Sequence, residues 1–453
     1  MKRHWGQRWG VGAAACLLLM LLVLGQRAPA ANSAVGTHLG VASCAGSTCH
    51  GRQEPTGAIV RQDEISLWQN AASQAGAHSR AWAVLGGARG RAIAARLDLG
   101  DPQSAPLCLG CHADPAPVRG PAWRVSDGVG CEACHGAASA PWLASHRATG
   151  ATHASNIANG LYPIDQPKAR ATRCLDCHLG SGRDGQWVDH RIMAAGHPRI
   201  SFELELFSAL EQHWNEDGDY AQRKARSAPV RLWAVGQAAA LERALTVYAG
   251  PRGQQGVFPD LAFFDCHACH RRIGDQPDFK PSALANPGRP LPPGSPPFQD
   301  ENIIMLSAAA KVASPALAAR FDRDARAFHL AMAQGRPQTV AAAGTLRAST
   351  RALGDVFAAR TFSTADTFAV IDAVAAGAAA RYTDYEASAQ AVMALDSLLN
   401  SLVKQGALPA ARAASMRGSI DAAYRAVRDP NLYQPLEFQS AMARAAAAIR
   451  GLR

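Results

Sequence analysis

The chain has 453 residues, enough for two or three domains, and a formal net charge of +10. Such a basic balance is typical of nucleic-acid-binding proteins, so that class is considered first. The placement of the 11 cysteines and 15 histidines leads to a different class.

The first 30 residues have the features of a secretory signal. A basic start, MKRHWGQRWG, precedes the apolar run VGAAACLLLMLLVLG and a small-residue site near Ala30. We expect cleavage there, which removes Cys16 and delivers the mature chain to the periplasm. An uncleaved membrane anchor is the alternative. The signal holds four cations and no acid, so the mature chain carries 10 − 4 = +6.

The first cysteine pair of the mature chain ends like a c-type haem site but has a longer loop. In SCAGSTCHG, four residues separate Cys44 from Cys49, and His50 follows directly. A disulfide is one interpretation of the pair. A haem site is the other, because attachment constrains only the two sulfurs and the histidine, and small residues between them can bulge outward.

Four later motifs have the regular spacing Cys-x-x-Cys-His, the attachment signature of haem c. Two thiols reach the vinyl groups at one porphyrin edge, and the next imidazole binds the iron from the proximal side. Zinc or disulfides would explain paired cysteines, but not a histidine after every second cysteine. The motifs are Cys108–Cys111–His112, Cys131–Cys134–His135, Cys174–Cys177–His178 and Cys266–Cys269–His270.

These motifs use eight cysteines, which leaves Cys44 and Cys49 as a matched pair and favours a fifth haem there. Each ferric haem c adds about one negative charge, so five bring the net charge from +6 to about +1. We expect the arginines to pair with haem propionates, because the planar guanidinium group matches a carboxylate. We therefore predict no nucleic-acid partner.

The second axial ligand of each iron separates an electron carrier from an enzyme, because an open face can bind substrate. Nine histidines remain for five positions. From their context we predict five distal ligands: His38, His78, His146, His190 and His197. The weaker candidates are His153, His213, His267 and His329. Of these, His267 lies between two haem cysteines, and we expect its side chain to point outward.

The motif order resembles multihaem cytochromes of the cytochrome c-554 type, relatives of hydroxylamine oxidoreductase and pentahaem nitrite reductase. The resemblance covers about residues 38 to 272 and rests on AHSRAW at His78 and on GVGCEACHG with His146 downstream. It implies closely packed haems on a mostly helical, loop-rich scaffold. It also implies that His146 ligates the iron held by His50, and His78 the iron held by His135. The chain has no Cys-x-x-Cys-Lys motif, which argues against nitrite-reductase chemistry.

The rest of the chain is predicted to be helical. Residues 200 to 245 bridge the fourth and fifth motifs, and Gly250-Pro251 ends this helical region. Residues 31–280 form the predicted cytochrome domain, and the proline-rich residues 281–299 form a semi-rigid linker. The alanine-rich residues 300–453 have helical apolar spacing, typical of an antiparallel bundle that is either a structural cap or a docking surface.

We therefore predict a mainly α protein, in which a loop-rich multihaem cytochrome domain precedes a C-terminal helical bundle. We predict that the exported protein transfers electrons through five haems c. The expected partners are redox proteins, either periplasmic cytochromes or membrane quinol-linked complexes, with membrane contact only if the signal stays uncleaved. The alternative is an oxidoreductase that acts on a small nitrogen or sulfur compound at one open haem.

Overall fold

The structure is a computed structural model that describes residues 36–54, 61–199, 201–224, 226, 228–254, 258–270, 286, 288–292 and 295–452. The predicted signal, residues 1–30, lies outside the described residues. So do residues 281–285, 287, 293 and 294 of the predicted linker. Within the described part, no helix has the length and apolarity needed to cross a membrane.

The N-terminal half is built from short helices joined by long loops. A two-residue parallel strand pair, β1 (Thr37–His38) and β2 (Val118–Arg119), ties its beginning to the loop after the second motif. Its α-helices are α1 Glu64–Trp68, α2 Ala88–Arg96, α3 Pro106–His112, α4 Cys131–His135, α5 Trp142–Arg147, α6 His153–Ala158, α7 Pro167–His178, α8 His190–Ala194, α9 Leu204–Leu210, α10 Gly218–Arg223, α11 Pro229–Ala249, α12 Pro251–Gln254 and α13 Cys266–Cys269.

The stretch around His78 is a series of three 3₁₀ turns: Gln74–Gly76, His78–Arg80 and Ala83–Gly86. Glycine weakens a continuous α-helix here. At Gly76, a β-carbon would lie 2.2 Å from the carbonyl oxygen of Asn70. The close approach of Gly76 to the backbone of Asn70 therefore requires glycine. This contact fixes the backbone position from which the side chain of His78 extends.

The C-terminal half is a helical bundle, as the apolar periodicity predicted. Proline occupies the first turn of α15 and α21, where its missing N–H costs no hydrogen bond. A Ser363–Asp366 capping box begins α17. The bundle helices are α14 Glu301–Ala313, α15 Pro315–Ala331, α16 Arg336–Ala359, α17 Thr364–Arg381, α18 Tyr385–Lys404, α19 Ala410–Ser415, α20 Arg417–Ala426 and α21 Pro435–Arg450.

The main core joins α11 to this bundle. Trp233 and Leu245 of α11 are fully buried in one cluster with Phe328 of α15 and Leu395 of α18. The predicted termination of α11 is confirmed, since Gly250 caps it and Pro251 follows. The predicted mainly α fold is also confirmed. The helix between the fourth and fifth motifs thus shares its core with residues beyond the proline-rich segment.

Candidate haem sites

The regular motifs form helical turns that bring two sulfurs and one imidazole together. The helices α3 and α7 end at the motif histidines His112 and His178, whereas α4 and α13 consist of little more than the motif. The irregular motif is a tight loop, in which the amide of His50 donates to the carbonyl of Cys44 (3.2 Å) and that of Cys49 to Gly46 (2.8 Å). The extra residues therefore bulge between two fixed sulfur positions.

Four motif histidines each face one other histidine. Two imidazoles bound to opposite sides of one metal, at about 2 Å each, have centroids about 6 Å apart once half of each ring is added. The observed centroid distances match this spacing: His50–His146 5.9 Å, His78–His178 6.1 Å, His112–His197 6.3 Å and His190–His270 6.0 Å. The protein thus fits one haem iron between the rings of every pair.

In several of the paired histidines, Nδ1 lies within hydrogen-bond distance of a neighbouring group, which leaves Nε2 available to bind a metal. The Nδ1 of His112 bonds the carbonyl of Ala81 (2.8 Å), and that of His50 lies 3.1 Å from a carboxylate oxygen of Glu64. The Nδ1 of His197 bonds the carbonyl of the next residue (2.8 Å). Such bonds are typical of metal-ligating histidines, because they fix the tautomer and the ring orientation.

The pairing differs in one place from what the family resemblance implied. His146 lies opposite His50, as expected, but His78 faces His178 instead of His135. Among the described residues, no ring faces His135 at the spacing of the other four pairs. His213 was a weak candidate from its sequence context, yet after burial its charge is the largest influence that lowers the pKa of His135 to about 3.

His213 has the surroundings of a metal ligand. It is largely buried, and its Nδ1 lies 2.9 Å from a carboxylate oxygen of Glu211 and 3.1 Å from the Glu211 carbonyl. The same carboxylate oxygen lies 3.7 Å from the Nδ1 of His78. Burial opposes ionisation of Glu211, but its bonds to these two histidines outweigh it and hold its pKa at about 2. The only sequence signal for His213 was its position in the segment between two motifs.

The other histidines have different partners. His38 bonds Asp114 (2.7 Å) beside Glu132, whose carboxylate accepts backbone N–H groups from Leu39 and Gly40. A metal beside His38 would therefore have to compete with the hydrogen bonds that the Glu132 carboxylate already accepts. His153 lies 3.0 Å from Asp165 in an ion pair.

The expectation that His267 points outward was wrong. Its side chain is buried, with ring centroids 6.1 Å from Tyr385 and 6.0 Å from Tyr433. Because the bundle covers this motif, the face of α13 that would otherwise meet solvent is filled by bundle side chains.

Motifs that lie far apart in sequence touch through their cysteines. Cys131 is the main influence that lowers the pKa of the Cys44 thiol to about 7, and the sulfur of Cys111 lies 4.0 Å from the carbonyl oxygen of Cys177. If each of these thiols carries a porphyrin, the contacts bring the attachment edges of two pairs of sites together. Such proximity suits electron exchange between neighbouring sites.

Comparison with known proteins supports this chemistry. Residues 43–136, about a fifth of the chain, match the family model described as Cytochrome c554 and c-prime. The predicted resemblance to cytochromes of the c-554 type is thereby confirmed for a segment that holds three of the five motifs. The relation to hydroxylamine oxidoreductase and nitrite reductase stays a prediction. No curated protein and no solved structure matches the chain.

Proposed function

We propose that this c-554-type cytochrome, a haem c electron-transfer protein, carries five haems and closes each iron with two histidines. The observation behind the proposal is that four motif histidines each meet a second histidine at single-metal spacing. Bound haem c supplies one-electron chemistry at its iron, and an iron with two protein ligands has no position for substrate.

His213 is the proposed second ligand at the remaining site, opposite His135. It is the one spare histidine whose charge acts on His135, and Glu211 holds its Nδ1 so that Nε2 remains for the iron. In the haem-loaded protein its ring is proposed to lie opposite His135 at the spacing of the other pairs. All five irons would then be closed, as an electron carrier requires.

Carboxylates beside the ligands are proposed to set the relative reduction potentials of the sites. Glu64 holds His50, and Glu211 lies between His78 and His213. A carboxylate that accepts a hydrogen bond from the Nδ1–H group makes the imidazole a stronger electron donor to the iron, which favours the ferric state. Sites whose histidines bond only backbone carbonyls, such as His112, are then expected at higher potential.

Electron paramagnetic resonance of the oxidised, fully haem-loaded protein tests the closed arrangement. We expect five low-spin irons per chain and no substantial high-spin signal. Mass spectrometry of the mature chain gives the haem number, which should fall from five to four when Cys44 and Cys49 are both replaced by alanine. A wild-type count of four would refute the assignment of the irregular motif.

Export and partners complete the proposal. The basic and apolar start of the chain supports export to the periplasm, where the protein would pass electrons between periplasmic cytochromes or from a membrane quinol-linked complex. Cell fractionation with N-terminal sequencing tests the location and the cleavage near Ala30. Recovery in the cytoplasmic fraction with an intact N-terminus would overturn it.

An oxidoreductase is the second candidate, and one observation favours it. Among the described residues, His135 has no imidazole opposite it at the 6 Å spacing. If His213 stays unbound, that iron is open to a small nitrogen or sulfur compound, and His213 and Glu211 would be the polar groups beside it. Titration with cyanide or nitric oxide distinguishes the two: binding at one haem favours the enzyme, and absence of binding favours the carrier.

A further inference from the structure

A cavity in the C-terminal bundle has the features of a small-molecule site, away from the haem motifs. It has a volume of about 510 Å³ and lies between α14, α15 and α17. This volume lies within the range of about 300–1,000 Å³ typical of ligand pockets. Its walls are largely apolar and carry small side chains, among them Ala308, Ala325, Ala373 and Ala376.

At the buried end of the cavity lies an unpaired hydrogen-bonding atom. His329 is 1% exposed, and its Nδ1 donates to the carbonyl of Ala325 (2.9 Å). Since Nδ1 carries the proton, Nε2 of the neutral ring is an acceptor. Within the described part of the chain, this Nε2 has no hydrogen-bond partner. A buried polar atom without a partner destabilises the folded protein, and a bound donor would remove this cost.

The outer end of the cavity is positively charged. Lys311 and Arg326 are exposed residues at its rim, and the half-buried Arg381 lies beside them. Asp322 lies 3.6 Å from Arg381 and accepts a hydrogen bond from Ser307 (2.7 Å). Asp300, the other carboxylate of the lining, is buried 3.0 Å from Arg289. The lining therefore holds three cations and two acids, one of which is already paired with Arg289, and this arrangement favours an anionic group.

We propose that this cavity binds an amphiphilic monoanion, with a hydroxyl that donates to Nε2 of His329 and a carboxylate that meets Lys311. The alanine walls leave room for a flat apolar body between these two ends. A bicyclic aromatic hydroxy acid has this chemistry. The site does not depend on the haem assignments.

Isothermal titration of the haem-loaded protein with three probes tests each part. The probe 6-hydroxy-2-naphthoate carries both polar groups, 2-naphthoate lacks the hydroxyl and 2-naphthol lacks the carboxylate. We expect the first to bind one per chain, three- to tenfold more tightly than either of the others, since one net hydrogen bond contributes about 0.5–1.5 kcal/mol.

Two variants and a control locate the binding. His329→Leu should make 6-hydroxy-2-naphthoate bind no better than 2-naphthoate, and Lys311→Gln should weaken both acids but not 2-naphthol. Arg444→Gln removes an exposed cation of α21 outside the cavity and should change nothing. Because Lys311 is exposed, its variant keeps the fold even if His329→Leu does not. Absence of binding by all three probes overturns the proposal, as does equal binding of both acids to the unchanged protein.

Discussion

Replacing His146 tests the proposed ligand pairs most directly. The His146 ring lies 5.9 Å from that of His50, with the two planes 11° apart, and its Nδ1 has Asn156 as a neighbour at 3.3 Å. Leucine at position 146 leaves the iron at His50 with one protein ligand. Since one iron in five is affected, the high-spin signal of the oxidised protein should rise from near zero to about one iron per chain.

The protein itself should tolerate this change. The side chain of His146 is exposed, and surface substitutions usually change the free energy of unfolding by no more than about 0.5 kcal/mol. His146→Met supplies a thioether instead, which should keep the iron low-spin and raise its reduction potential. His153→Leu is the matched control, because His153 forms an ion pair with Asp165 outside the pairs. A wild-type spectrum from His146→Leu would refute the pairing, and so would a high-spin iron in His153→Leu.

Three further changes test other parts of the structure. Glu211→Gln removes one carboxylate from beside both His78 and His213, so potentiometry should show two haems shifted upward. Glu301→Gln should flatten the pH dependence of stability: burial raises the pKa of Glu301 from 4.5 to about 8, so the folded state of the wild type loses up to about 5 kcal/mol as the pH rises from 4.5 through 8. Phe328→Ala should cost about 3–5 kcal/mol in urea unfolding, because the fully buried ring leaves a cavity.

Each of these outcomes has a clear contrary result. A shift of a single haem in Glu211→Gln would mean that the carboxylate acts on one histidine only. If the stability of Glu301→Gln still falls as the pH rises, as in the wild type, the proton lost in this range belongs to other acids. A loss below about 1 kcal/mol for Phe328→Ala would place its ring outside the packed core. The exposed Leu436 is the control for the last test, since Leu436→Ala should be nearly neutral.

The sequence predicted the attachment motifs because their chemistry is local. Cysteine, cysteine and histidine must share one turn, so their spacing is visible in a short stretch of chain. Distal ligands follow no such rule. His197 meets His112 only after a long excursion of the chain, and His78 reaches His178 past two intervening motifs. The histidine contacts that form across loops therefore required the structure.

His38 and His213 show why the surroundings of a histidine do not follow from its distance to a motif. His38 lies just ahead of the first motif, which made it attractive as a ligand, but the strand pair directs it to Asp114. His213 lies in an acidic, polar segment with no motif nearby, and only the fold places it where its charge acts on His135. For these two histidines, the surroundings therefore depend on which carboxylate the fold places beside Nδ1.

The bundle also contributes to the fifth site, which argues against an independent cap. Arg199 is half-buried beside the fifth motif, where it donates to the carbonyl of Phe264 (3.2 Å) and lies 3.5 Å from the sulfur of Cys266. Its guanidinium lies 3.9 Å from carboxylate oxygens of Glu301 in α14 and Glu386 in α18.

The backbone and the aromatic side chains of this region tie the fifth motif to the bundle as well. Phe264 bridges to Phe298 just before α14, and the rings of Phe263 and Phe298 stack at 6.4 Å. The histidine of the fifth motif follows a four-residue helix and lies opposite His190. The bundle therefore supports this short motif, and damage to the bundle core should affect the proposed haem site at His270 before the other four proposed sites.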